Sequence, residues 1–287
     1  MTIRSAVPSV DNDTPRSDVR LDIAREPATR AELLIFTVYF LCIVAIEVLT
    51  AVARPEIIGI SSATAVIVLL THFIVIDPLS ESEDKASSRD MASLLLPALA
   101  LLPLMRLLSI ALPTRDIPER YWFFVVGIPM LVGAYGLARL LGLSLRDVGV
   151  VPVLNRTQLL IAASGAPLAV IAYLMIQPET SYSSGRWWEI VIAAFGLALF
   201  SGVLEELIFR GVLQPIAERA FGPLGIASST VVFTATYLGE KSPLLLAFMM
   251  LVGCYFALAT YRTRSIVGVV AAHVIFVVGF LVVMPNV

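Results

Sequence analysis

Long apolar stretches follow one another along almost the whole chain, and they constrain its fold more than any other feature. Each is close to the roughly 20 residues that an α-helix needs to cross the hydrocarbon core of a bilayer. We predict membrane-spanning helices near residues 33–53, 56–76, 91–113, 122–145, 158–176, 188–209, 224–238, 243–261 and 265–284. Because the seventh stretch is short, eight spans and nine spans both remain open. The predicted fold is an all-α, polytopic transmembrane bundle of about eight or nine helices.

The composition excludes most other classes of protein. Of the 287 residues, 58% are hydrophobic and 15% are charged, and the mean hydropathy is +0.90. Soluble domains have about 45–50% apolar and about 25% charged residues. A soluble globule of this length cannot bury so large an apolar surplus, which excludes a soluble enzyme and a disordered protein. The formal net charge of −2 argues against a nucleic-acid partner, which needs a basic surface.

The start of the chain differs from the rest, since residues 1–32 are polar, mixed in charge and without an apolar stretch. We predict a polar N-terminal tail over 1–32 and a transmembrane bundle over 33–287. Cytoplasmic loops of membrane proteins carry an excess of Lys and Arg. A cytoplasmic N-terminus places most of the loop Lys and Arg residues on that side, so we expect an integral, multi-pass protein of the plasma membrane in this orientation.

The sixth apolar stretch ends in a charged motif, Glu205-Glu206-Leu-Ile-Phe-Arg210-Gly211. Charged side chains at membrane depth are costly and face a cavity or a partner. Glu206 and Arg210 are four residues apart on a helix, so an ion pair is expected between them. Glu205 points about 100° away and has no adjacent cation. The pattern indicates either a carboxylate available for general acid or base chemistry, or a structural salt-bridge cluster at a helix end.

His273 lies in the last apolar stretch without a charged neighbour in its span. Because an ionisable residue in lipid needs a partner, a functional role is the first hypothesis for it. Glu47 and Arg106 are also at membrane depth. They either pair with each other or extend to the membrane interface, and the sequence leaves both alternatives open.

These residues resemble the signature of the CAAX-protease and bacteriocin-processing (CPBP) family of membrane proteases. That signature is Glu-Glu-x-x-x-Arg, then Phe-x-x-x-His, then His-x-x-x-Asn, each on a membrane helix. The chain carries the first motif complete at Glu205, Glu206 and Arg210, and the resemblance covers about residues 120–284. It implies Glu205 as general base, Glu206 and Arg210 as residues that hold its helix, and His273 as an oxyanion donor or ligand.

The chain departs from the family pattern at two positions. Tyr237 stands where the second motif has its histidine, and Val277 stands where the last motif has its asparagine. Tyrosine can donate a hydrogen bond but is a poor base near neutral pH, and valine offers no donor. Each loss is expected to reduce the rate of catalysis by about 10²-fold or more.

The resemblance also raises the question of a catalytic zinc ion, whose role in the family is disputed. Such an ion usually has three protein ligands. Glu205 and His273 are the two candidate ligands, and Glu206 or Glu240 would be the third. Gly239 and Pro243 indicate that the helix ends before Glu240, which favours a loop position for this residue.

Three functions follow from these features. The first is a CPBP-like intramembrane endopeptidase that hydrolyses a CAAX-type, leader or sorting-tail substrate with a glutamate-activated water. The second is a catalytically degenerate homologue, a pseudoenzyme that binds a hydrophobic peptide or partner subunit. The third is a proton-coupled carrier, which intramembrane carboxylates alone permit. The expected partners are the lipid bilayer and a membrane-associated peptide or protein.

Overall fold

The computed structural model describes residues 30–79, 91–112, 117–140, 143–151, 155–178 and 186–286. Within these ranges the protein is all-helical, as predicted, and has no strands. Its nine helices there are α1 (Arg30–Val52), α2 (Pro55–Leu79), α3 (Met91–Ala111), α4 (Trp122–Leu140), α5 (Arg156–Ile176), α6 (187–221), α7 (Pro223–Ala235), α8 (Pro243–Thr263) and α9 (Val267–Asn286). Most of the predicted tail, residues 1–29, lies outside the described residues, and α1 begins at Arg30.

Five of these helices contain an apolar span long enough to cross a membrane, and all five begin at residue 122 or later. They are Trp122–Arg139, Arg156–Ile176, Trp187–Glu218, Pro243–Thr263 and Val267–Asn286. The first three helices contribute shorter apolar stretches, Phe36–Leu49, Pro55–Thr71 and Pro97–Ala111. The bundle therefore matches the predicted polytopic architecture, and the protein is an integral, multi-pass membrane protein.

The sixth helix is longer than the sequence predicted. The expected end near residue 209 is wrong, because the helix continues to Phe221 and Gly222 follows it. Charged and polar side chains in the added turns have partners: Gln214 donates to Glu218 Oε1 at 2.7 Å and to the carbonyl of Ala257 at 2.9 Å. Since the Gln214 amide nitrogen and the Glu218 carboxylate are paired inside the bundle, the drop in hydropathy after residue 209 does not end the helix.

The seventh helix is too short to cross the bilayer by itself. Its 13 residues extend about 20 Å at 1.5 Å per residue, against a hydrocarbon core of about 30 Å. It packs between α6 and α8, and Phe233 and Thr234 near its end are buried. The short α7 is thus an inner helix that ends at the depth of the charged motif.

The sixth helix lies at the centre of the bundle, in contact with α3, α4, α7, α8 and α9. Gly202 allows its closest approach to α9, because a Cβ there would lie 3.0 Å from Cα and 3.1 Å from N of Val274. Val274 is the residue after His273, and Glu206 is one turn beyond Gly202 on the same face of α6. This contact therefore brings the histidine of α9 to the glutamate of α6.

Candidate active site

The two glutamates lie in the middle of α6, not at a helix end as the sequence suggested. Two π-helical segments, Leu197–Val203 and Leu207–Leu213, flank the single α-helical turn Leu204–Glu206 that carries them. Such widened turns are rare and occur frequently at functional sites. An interfacial salt-bridge cluster at a helix end is therefore excluded, because the motif is inside the bundle.

Glu206, Arg210 and His273 form a buried charged cluster with side-chain exposures of 0–1%. Arg210 Nη1 donates to Glu206 Oε1 at 3.0 Å, which confirms the predicted ion pair. The same Oε1 lies 2.7 Å from Nδ1 of His273. The guanidinium therefore neutralises the charge of Glu206, and the imidazole fixes the position of its carboxylate. A buried carboxylate needs such partners, because an unpaired charge away from water is costly.

The Arg210 guanidinium is held from two further sides. Its Nη2 donates to the carbonyl of Gly253 on α8 at 3.2 Å, and its Cζ lies 4.0 Å from the centre of the Phe233 ring. A cation over an aromatic face is attracted by the ring quadrupole, more strongly where water is absent. Arg210 thus joins α6, α7 and α8 at the depth of the glutamates.

Glu205 has different surroundings from Glu206. Ser201 Oγ donates to its Oε1 at 2.9 Å, and the Tyr237 hydroxyl donates to its Oε2 at 3.3 Å. The Glu205 residue is only partly buried, and it forms no ion pair within the part of the chain that the structure describes. Two neutral hydroxyls therefore orient a carboxylate that keeps free lone pairs and some access to its surroundings.

The five predicted site residues, Glu205, Glu206, Arg210, Tyr237 and His273, lie together in the structure. Their pairing differs from a direct contact between Glu205 and His273. His273 binds Glu206, the neighbour of Glu205, while Glu205 binds Tyr237. The ring of Phe233 lies between the two sets, with its centre 5.5 Å from the Tyr237 ring and 6.2 Å from the His273 ring. Glu205 and His273 are thus parts of one polar cluster, linked through Glu206.

The contact with Glu206 defines what the His273 ring can do. When Glu206 is ionised its carboxylate accepts hydrogen bonds only, and Nδ1 of His273 is then the donor in their contact. In the neutral ring Nε2 is then an acceptor, and it becomes a donor when the ring is protonated. Nε2 is buried and has no hydrogen-bond partner among the described residues, nor do Glu206 Oε2 and Arg210 Nε.

The two positions that depart from the family motifs lie next to this cluster. Tyr237 follows the end of α7 and its hydroxyl reaches Glu205, so the phenol occupies the place of the expected imidazole. Val277 lies one turn after His273 on α9 and is 5% exposed. It provides packing but no hydrogen-bond donor.

The described residues do not fit a three-ligand zinc site. Among them, no three His, Cys, Asp or Glu side chains are grouped closely enough to hold a metal ion. Nδ1 of His273 is occupied by Glu206, and Glu240 lies exposed in the short 3₁₀ segment Leu238–Glu240. The α-helix ends before Glu240, as expected, but the residue lies in a 3₁₀ turn and not in an irregular loop.

Sequence reasoning missed one residue of this site and left a second contact open. Ser201 is four residues before Glu205, so helical spacing could have identified it as a partner. Glu47 and Arg106 do pair with each other, one of the two alternatives that the sequence allowed. Arg106 also donates to the carbonyl of Thr236 at 3.1 Å, a contact over 130 residues that the sequence gives no signal for.

The fold and the site together define an integral membrane protein with a cluster of carboxylates and an imidazole inside a helical bundle. Residues 187–279 match the family model described as type II CAAX prenyl endopeptidase Rce1-like. This match agrees with the family resemblance that the motifs predicted, and it includes Glu205, Glu206, Arg210 and His273. Searches of curated proteins and of solved structures gave no match.

Proposed function

We propose that this protein is an intramembrane endopeptidase in which Glu205 activates a water molecule. The observation that carries the proposal is the environment of Glu205: a partly buried carboxylate, oriented by two neutral hydroxyls, beside a Glu206 whose charge is already neutralised. The family suggests a CAAX-type endopeptidase and membrane-associated substrates. We extend this to peptides whose scissile bond lies near the membrane, such as lipid-modified C-termini, leader peptides or sorting tails.

In the proposed reaction, Glu205 takes a proton from water as the water oxygen bonds to the carbonyl carbon of the substrate. The carbon–nitrogen bond then breaks, the proton passes to the leaving amine, and Glu205 is regenerated. The Tyr237 hydroxyl donates its one proton to Glu205 Oε2 at 3.3 Å, and it turns to the developing oxyanion once Glu205 has taken the proton from water. Nε2 of His273 provides a second donor when its ring is protonated.

Glu205→Gln tests this function. Purified protein in detergent is incubated with a library of hydrophobic and lipid-modified peptides, and the products are identified by mass spectrometry. Loss of a general base reduces rates by about 10²–10⁴-fold, so the variant should lose cleavage while staying folded. Glu189→Gln is the matched control, since Glu189 is on the same helix but pairs with Arg120 at 3.1 Å, away from the site.

The substitutions at Tyr237 and Val277 favour a second candidate, a pseudoenzyme that binds a hydrophobic peptide without cutting it. If the unmodified protein and Glu205→Gln are equally inert but bind the same peptide, this second function replaces the first. The double variant Tyr237→His with Val277→Asn then serves as a further test, because it restores both family motifs. A gain of cleavage in that variant would show that the chain lost its activity at these two positions.

We also propose that the polar tail over 1–32 is cytoplasmic, with the bundle of 33–287 in the plasma membrane. The excess of Lys and Arg on that side supports this orientation. An epitope tag at the N-terminus should be digested by added protease in inside-out vesicles and protected in right-side-out vesicles. The reverse pattern would place the N-terminus outside.

A further inference from the structure

Another buried carboxylate, Glu47, forms an ion pair outside the residues that match the family model. Glu47 on α1 and Arg106 on α3 contact each other through Nε and Nη2 of the guanidinium. The Glu47 side chain is 1% exposed and that of Arg106 is 18% exposed. Helices α1 and α3 therefore place a paired charge inside the bundle, which needs a reason beyond apolar packing.

The Arg106 guanidinium also binds the backbone at the end of α7. Its Nη2 donates to the carbonyl of Thr236 at 3.1 Å. The six atoms of a peptide unit are coplanar, so the carbonyl of Thr236 lies in one rigid plane with N and Cα of Tyr237. A donor that holds this carbonyl therefore fixes the position and tilt of the unit that carries the Tyr237 side chain.

The backbone needs such an anchor at this point. The α-helical part of α7 ends at Ala235, and Tyr237 has φ −90° and ψ 0° before the 3₁₀ segment begins. Carbonyls at a helix C-terminus carry a partial negative charge, which attracts a guanidinium. From this junction the Tyr237 hydroxyl extends to Glu205 Oε2. A continuous set of contacts thus runs from Glu47 through Arg106 and the Thr236 carbonyl to Tyr237 and Glu205.

We propose that Glu47 and Arg106 are positioning residues for the active site, acting on Glu205 through the backbone at Thr236 and the side chain of Tyr237. The catalytic part of this inference rests on the proposed endopeptidase function, whereas the effect on Tyr237 does not. Helices α1 and α3 would then help to position the site. A purely structural ion pair predicts a loss of stability alone, while a positioning pair predicts a change at Tyr237 in a protein that remains folded.

The test uses 3-fluorotyrosine incorporated at position 237 of the full-length protein in detergent. Its ¹⁹F resonance is recorded in the otherwise unmodified protein, in Arg106→Gln and in Arg106→Lys. Arg106→Lys keeps the charge paired with Glu47 but cannot form the planar two-pronged contact. Arg120→Gln is the control, because it removes another ion pair between helical segments, Arg120 to Glu189, without touching α7.

The expected result is a shifted or broadened ¹⁹F resonance in Arg106→Gln, a smaller change in Arg106→Lys and none in Arg120→Gln. Far-ultraviolet circular dichroism and gel filtration identify the variants that remain folded. An unchanged resonance in a folded Arg106→Gln, or in Arg106→Lys if the former does not fold, overturns the proposal. This measurement is independent of cleavage, so it still decides the inference if the protein has no protease activity.

If peptides are cleaved, kinetics provide the second readout. Misplacement of a catalytic group by about 1 Å can reduce rates about 100-fold. We expect Arg106→Gln to lower kcat by about 10-fold to 100-fold with little change in KM. In a Tyr237→Phe background the same substitution should have little further effect, since both changes act on one hydroxyl. Fully additive losses would contradict positioning through Tyr237.

Discussion

Glu205 and Glu206 are neighbours in sequence, but their side chains have opposite surroundings. Glu206 is completely buried and bonded to a cation and an imidazole, while Glu205 is partly buried and bonded to two hydroxyls. The 100° between successive residues of a helix directs one side chain to α8 and α9 and the other toward the end of α7. The contacts of Glu206 with Arg210 and His273, called here the charged side, hold the helices together. The contacts of Glu205 with Ser201 and Tyr237, called here the hydroxyl side, leave the Glu205 carboxylate free for chemistry.

The largest effect on stability is expected when the charged side is broken. Glu206→Gln leaves Arg210 buried without a counter-ion, which destabilises a protein by about 3–5 kcal/mol. Glu205→Gln should lower the free energy of unfolding by about 1 kcal/mol or less, because its amide oxygen still accepts a bond from a hydroxyl. Unfolding by sodium dodecyl sulfate in mixed micelles, followed by circular dichroism, measures both. Equal losses in the two variants would contradict the difference between the two sides.

Whether a feature of the fold or the site could be predicted from the sequence depends on how far apart the contacting residues lie along the chain. The helices were predictable because a backbone in lipid must satisfy its own hydrogen bonds, so each apolar stretch becomes a helix. The pair of Glu206 and Arg210 was predictable from its spacing of four residues. The extension of α6 to Phe221 was not, because it depends on partners such as the Ala257 carbonyl on another helix.

The partner of His273 was also beyond the sequence. The choice between Glu205 and Glu206 depends on the rotation of α6 against α9, which the close approach at Gly202 determines. A hydropathy pattern gives the length of a helix but not its rotation against a neighbour. The same limit applies to Arg106, whose partner Thr236 offers a backbone carbonyl that no residue type reveals.

An intermediate effect is expected at Gly253, where the charged side meets α8. A Cβ at this position would lie 2.8 Å from Cδ1 of Phe233 and 3.5 Å from Nη2 of Arg210. Because the ring must move, Gly253→Ala should lower the free energy of unfolding by about 1–3 kcal/mol. The same mixed-micelle titration measures it.

Gly136→Ala is the control for this substitution. Gly136 is also in a helix interior, but a Cβ there would meet nothing within 4 Å. Alanine favours helix by up to about 1 kcal/mol relative to glycine, so this variant should be unchanged or more stable. If Gly253→Ala is as stable as the control, the packing of Phe233 and Gly253 against Arg210 is looser than the distances indicate.

The smallest effect is expected on the hydroxyl side. Ser201→Ala removes one neutral donor to Glu205, and a single hydrogen bond contributes about 0.5–1.5 kcal/mol to stability. Glu205 retains the bond from Tyr237, so its carboxylate is not left without a partner. Ser228→Ala is the control, because among the described residues Ser228 donates only to the carbonyl of Gly225 in its own helix, at 3.0 Å. That local bond competes with helix geometry, so its loss should be nearly neutral.

The value of Ser201→Ala lies in comparing its stability with its cleavage rate. If the hydroxyls orient Glu205 for catalysis, the rate should fall by a larger factor than the loss of one hydrogen bond explains, which is about 10-fold. A loss of stability exceeding that of Gly253→Ala would instead make Ser201 a structural residue. The hydroxyl side would then stabilise the bundle as the charged side does, and the free carboxylate would need another explanation.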